Sequence, residues 1–157
     1  MMKQRALKTL AGVSLFLTFA AVSANAQAAG EIRLKVPFDF YAGTQQLPAG
    51  EYTVRHVSST GDALLRVENR HSSASARVLT FRVQSPAAPE RGQLVFQKYG
   101  EQYFLTQVWT GGGDAGHELN ASKRERGLRE LAKNPKKNKV AQGASKAETV
   151  VLTAGQQ

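Results

Sequence analysis

Short stretches that alternate apolar with polar residues, cut apart by proline or glycine, run from Glu31 to Thr110, and this pattern limits the fold more than any other property of the chain. Ile32, Leu34 and Val36 alternate with Arg33 and Lys35, the period-2 signature of a strand with one buried face. Phe38 and Phe40 continue that face beyond Pro37, which lacks the N–H of a central ladder and so marks an edge or a bend. Asp39 falls on the opposite face and is expected in solvent. Pro48-Ala49-Gly50 reads as a turn, proline presetting φ and glycine accepting a positive one, and it delivers the chain into a strand through Tyr52 and Val54. Leu65 and Val67 mark another strand after the Gly61-Asp62 turn. Leu79, Phe81 and Val83 are expected on the buried face of the next, with Thr80 and Arg82 outward, before Pro86 and Pro89 break it.

The stretch QLVFQKYGEQYFLTQVWT is a hairpin about Gly100-Glu101, glycine leading a two-residue turn. Tyr103, Phe104, Leu105, Val108 and Trp109 put apolar groups on both faces of its second arm, which places that arm at the centre of the core. These elements define a mainly β chain, an antiparallel β-sandwich or partly open barrel of six to eight strands with one short C-terminal helix. The main domain is expected over residues 27–119.

Beyond the connector Gly111-Gly112-Gly113-Asp114, the character of the sequence changes. Ser122 with Glu125 has capping-box form, Leu128, Leu131 and Ala132 recur at helical spacing, and Glu125–Arg129 and Arg126–Glu130 are i,i+4 pairs. An amphipathic helix within 120–134, about Lys123 to Lys133, is expected to dock Leu128 and Leu131 on the sheet, being too short to persist unpacked. Residues 135–157 read as a basic, flexible tail. Within it ETVVLTA is apolar and β-branched; one outcome is a final strand at 148–153 that returns to a sheet edge, the other a plain continuation of the tail.

The chain opens with Lys3, Arg5 and Lys8, an apolar run from Leu10 to Val22, and Ala24-Asn25-Ala26. This is the form of a secretory signal peptide, 1–26, with Ala28 or Ala29 as alternative cleavage points; the run is shorter than the ~18 residues of a membrane span. Cleavage after Ala26 leaves 131 of the 157 residues, one domain's worth. The localisation that follows is periplasmic or secreted. There is no cysteine to carry a lipid anchor or a disulfide, so stability must come from packing.

Composition matters once the charge is divided. Residues 31–118 carry nine basic and nine acidic residues, whereas 119–157 carry nine basic and three acidic, a net +6. Lys123, Arg124, Arg126, Arg129, Lys133, Lys136, Lys137 and Lys139 are therefore the candidate polyanion contacts, since clustered cations release counterions from a polyanion. An anionic envelope polymer, lipopolysaccharide or acidic polysaccharide, or another envelope protein fits them. Nucleic acid does not, because no aromatic residue is interleaved for base stacking. The competing account is a solvated tail.

Catalytic and metal chemistry find no set of residues to carry them. His56, His71 and His117 share no metal-ligand spacing; His56 continues a strand and the other two are expected in polar loops. HSSASA is a serine-rich turn, Asp39 has no second carboxylate beside it in sequence, and GGGDAG lacks the ending of a phosphate loop. No enzyme activity and no cofactor are expected. The expected function is a non-enzymatic binding or structural module, with two alternatives: an anionic-polymer binder acting through the basic segment, or a barrel enclosing an apolar ligand among Phe81, Phe96 and Trp109.

VPFDFxxG at Val36–Gly43, LPAGxYxV at Leu47–Val54, VFxxYGxxYFLxxVW at Val95–Trp109 and SKRER at Ser122–Arg126 together resemble a group of uncharacterised small exported β-rich bacterial proteins common in acidobacterial genomes. The resemblance covers most of the chain beyond the signal peptide and implies an exported β-rich domain, without an activity or a site. LPAGxYxV alone is also similar to segments of transthyretin-like and collagen-adhesin B-type sandwich repeats.

Overall fold

The computed structural model describes residues 30–57, 63–133 and 146–155. The expected signal peptide, the Gly61-Asp62 turn and Lys136, Lys137 and Lys139 lie outside them.

Alternation produces the strands in order: β1 (Glu31–Val36), β2 (Phe40–Ala42), β3 (Gln45–Leu47), β4 (Gly50–His56), β5 (Leu64–Asn69), β6 (Ser75–Gln84), β7 (Gln93–Tyr99), β8 (Gln102–Trp109), β9 (Ala115–Leu119) and β10 (Glu148–Thr153), with helix α1 (Lys123–Lys133) before the last. Ten strands stand among the described residues where six to eight were expected, because β2 and β3 are three-residue pieces that sequence patterning does not separate. The fold class is the expected one, mainly β and mainly antiparallel with an open sheet and one helix, as in a β-sandwich or partly open barrel.

Hydrogen bonding orders the strands β1-β4-β5-β6-β9-β8-β7-β10. One edge of β8 carries β7; the other is shared by β9 and by β2, which runs parallel to it. The first half of β6 pairs with β5 and the second with β9, so this one strand joins the two layers. β10 lies antiparallel to β7 from Glu148↔Lys98 to Thr153↔Gln93. The strand at 148–153 thus forms, and the chain beyond the helix re-enters the sheet. At its end the Ala154 N–H donates to the Gly92 carbonyl at 2.7 Å, and Ile32 of β1 packs on Gly92, bringing the two ends of the sheet together without a ladder among the described residues.

Between the layers Ile32, Val36, Phe40, Leu47, Tyr52, Val54, Leu65, Leu94 and Phe96 are fully buried. Burial of each aliphatic or phenylalanine side chain among them stabilises the fold by about 1.5–3 kcal/mol relative to exposure. Phe96 meets the rings of Phe38 and Phe40 edge-on at 5.3 and 5.4 Å. β8 is covered on both faces, as its sequence predicts. A bulge opposite Val95/Phe96 leaves Thr106 outside the pairing, its hydroxyl donating to the Val95 carbonyl at 3.0 Å. On the outer face Tyr41 stacks on Phe104 at 5.0 Å, and Tyr99 lies beside it, with α1 packed against β7. Leu128 and Leu131 are half-buried there.

Several expectations are corrected. β6 turns the other way: Ala76, Val78 and Thr80 are buried, while Leu79 and Phe81 are 67% and 57% exposed. Pairing with β5 decides this, because Leu65↔Val78 and Val67↔Ala76 align buried residues, and a one-residue slip would invert the strand. Buried Thr80 is satisfied, donating to the Ala63 carbonyl at 3.1 Å and lying 3.2 Å from His117 Nδ1. With Phe81 outside, Phe81, Phe96 and Trp109 do not line a common cavity. Gly50 has no positive φ; a Cβ there would come within 2.4 Å of Asn69 Nδ2, so the position needs room rather than backbone freedom. The connector Gly111-Gly112-Gly113-Asp114 is the loop between the paired strands β8 and β9. His117 lies in β9, buried, not in a polar loop.

Candidate functional site

Where β6 leaves β5 for β9, the two layers part and open a groove of about 550 Å³. The turn after β2, the Ser75–Leu79 half of β6 and the segment from Leu119 into the first turn of α1 wall it. Gly43 closes one side, its α-carbon close enough that a Cβ would touch Val78 Cγ1 at 3.4 Å. The lining carries the cations Arg77, Lys123 and Arg126 and no carboxylate.

Among the described residues none of these three is in an ion pair. Arg126 donates to the Ala121 carbonyl at 2.7 Å, which holds its guanidinium over the start of the helix. Ser122 caps α1, its hydroxyl accepting from the Glu125 N–H at 3.1 Å, the first half of the expected capping box. The Glu125 carboxylate does not close the box; it is 3% exposed and pairs with Arg129 at 2.9 Å. Lys123, Arg124 and Arg126 thus stand in the first turn of a helix, where the macrodipole disfavours cations. An anion in the groove would relieve that unfavourable field.

The remaining predicted contacts divide. Arg124 lies over the Tyr41 ring at 4.9 Å and donates to Gln102 Oε1 at 2.7 Å. Arg129 is held by Tyr99 and Glu125, which raise its pKa above the ordinary arginine value. Lys133 pairs with Glu130 at 3.2 Å. Of the described candidates, Lys123 and Arg126 alone face the groove.

Arg77 completes the set and is a residue that sequence reasoning missed. It ends a row across the outer face: Arg55 stands opposite Arg66, and Arg66 opposite Arg77. Like charges directly opposed on neighbouring strands destabilise a sheet. Glu68 offsets two of them, reaching Arg55 at 3.0 Å and Arg66 at 2.7 Å. The uncompensated member is the one at the groove. The signal was three outward arginines on separate strands, but only the strand register reveals that they align.

Elsewhere the polar residues have local tasks. His56 and His117 rings approach to 4.6 Å, and among the described residues no group of three or more His, Asp or Glu side chains is placed to hold a metal ion. His71 lies 3.2 Å from Glu51. Ser72 Oγ accepts from the Ala74 N–H at 3.3 Å, giving the serine-rich segment its turn.

Comparison of the chain with protein-family models, with curated proteins and with solved structures finds no match. The reading of this groove rests on its own chemistry.

Proposed function

We propose that the protein is an exported, non-enzymatic binding module of the cell envelope, periplasmic or secreted, that holds an anionic partner in the groove between β6 and the start of α1. The observation that carries this reading is the convergence of Arg77, Lys123 and Arg126 on one cavity with no acidic residue in its lining. Export is supported by residues 1–26, whose basic, apolar and small-residue zones have the signal-peptide order. Arginine and lysine suit carboxylate and phosphate alike, so both partner classes suggested by the sequence, an acidic envelope polymer and another envelope protein, meet the charge requirement.

Binding of an acidic polysaccharide and of lipopolysaccharide, measured across a salt series, tests the charge reading. Three phosphate-like contacts predict a loss on the order of tenfold or more for a fourfold rise in salt. The double variant Arg77→Gln/Lys123→Gln is expected to weaken binding and flatten the salt dependence. Equal binding by wild type and this variant would remove the groove from the account.

A further inference from the structure

Five consecutive residues of β6, Ser75 to Leu79, line the groove. Successive strand side chains point to opposite faces, so five in a row cannot reach one cavity through their side chains. The cavity therefore runs along the edge of the strand and meets its main chain. Pairing agrees, since Ser75–Leu79 is bonded to β5 on one side and β9 takes only Thr80–Gln84 on the other. Among the described residues the groove-side edge has no strand partner. β3, across the groove, pairs with β2 alone.

We propose that the groove accepts an extended acidic segment of a partner protein as an added strand on the Ser75–Leu79 edge. This rests on the anion-binding reading above and names the class of partner. The edge offers a row of main-chain donors and acceptors about 17 Å long at strand spacing, and strand addition uses such a row for affinity and the flanking side chains for specificity. Arg77 and Leu79 both point to the outer face, two residues apart. Side chains two positions apart on the added strand fall beside them, which selects a carboxylate and an apolar residue at that spacing, in an order set by the strand's direction. Lys123 and Arg126 take a further carboxylate from the opposite wall.

Charge selects against the other occupants. Residues 1–29 carry lysine and arginine, residues 134–145 carry lysine, and neither stretch has a carboxylate, so neither complements the groove. A second copy joined through the same edge would bring two Arg77 side chains together. A polysaccharide meets the charge but not a main-chain row at strand spacing.

The test is fluorescence polarisation with a labelled peptide of about eight residues alternating threonine with aspartate and valine in turn, beside a twin N-methylated at alternate positions and polyphosphate as a charge-only probe. The parent peptide is expected to bind, N-methylation to weaken it at least tenfold, and Arg77→Gln/Lys123→Gln to weaken it about tenfold. N-methylated and parent peptides binding alike would overturn strand addition while leaving the anion-binding groove intact, as would binding of polyphosphate without binding of either peptide. Sensitivity to N-methylation without sensitivity to the double substitution would place the strand on another edge and overturn the proposal too. Binding of no probe would remove both readings.

Discussion

Tyr52 and Asp39 hold the Pro48-Ala49-Gly50 turn from two sides. The Tyr52 hydroxyl donates to the Pro48 carbonyl at 2.6 Å, and Asp39 Oδ1 accepts from the Ala49 N–H at 2.8 Å. Sequence alternation places Asp39 in solvent correctly, but its bond spans ten positions and no local pattern announces it. Tyr52→Phe is expected to cost about 1 kcal/mol in denaturant unfolding. Burial raises the Tyr52 pKa above its ordinary 10.0, so its contribution is present below that pH and lost as pH rises towards the folded-state value. The phenylalanine variant should therefore lose less stability on the alkaline side than wild type. Glu51 has the opposite sign: a hydrogen bond from His71, with Arg70 and Lys35 nearby, lowers its pKa below 4.5. That stabilisation is present above pH 4.5 and lost as pH falls through the lowered value, so Glu51→Gln should shallow the acid limb of a stability-against-pH curve. Gly116 lies under the chain's one tryptophan; a Cβ there would come within 2.5 Å of the Trp109 ring. Gly116→Ala is expected to cost about 1–3 kcal/mol and to shift the tryptophan emission, which reports this site alone.

At the scale of the element, β6 shows why alternation is a rule about period and not about phase. Ala76, Val78 and Thr80 are a less apolar set than Leu79, Phe81 and Val83, and hydrophobicity alone chooses the second. The fold chooses the first because β5 aligns Leu65 and Val67 with it and the Thr80 hydroxyl finds partners. Thermal unfolding distinguishes the two phases. Phe81→Ser should change stability by no more than about 0.5 kcal/mol, while Val78→Ala should cost about 2 kcal/mol. Helix α1 was legible to its ends, because a serine cap, an i,i+4 pair and the following proline are all local signals. The groove was not. Lys123 and Arg126 were visible as part of a basic run, but Arg77 joins them only through pairing of strands far apart in sequence, and a free strand edge has no sequence signature at all.

For the whole molecule, the β class, the central hairpin and the neutral balance of residues 31–118 follow from patterns a few residues long. The joining of the two layers by β6 and the parallel contact of β2 with β8 depend on long-range pairing, which is why the strand count and the layer order were out of reach. β10 carries the largest consequence for integrity. It covers the edge of β7, and Val150 and Leu152 pack against the core. Removing residues 148–157 should lower the melting temperature and reduce soluble yield through the newly exposed edge, both readable on a purified truncation beside wild type.

β7 and β10 meet across some fifty residues, from Lys98 to Glu148. In a chain made from its N-terminus the β7 edge lacks this partner until Glu148–Thr153 has been made. Pairings of such long range form late, because the intervening loop must be ordered before they repay its closure. β10 therefore acts as a clasp: until its six residues pair, the edge of β7 stays open.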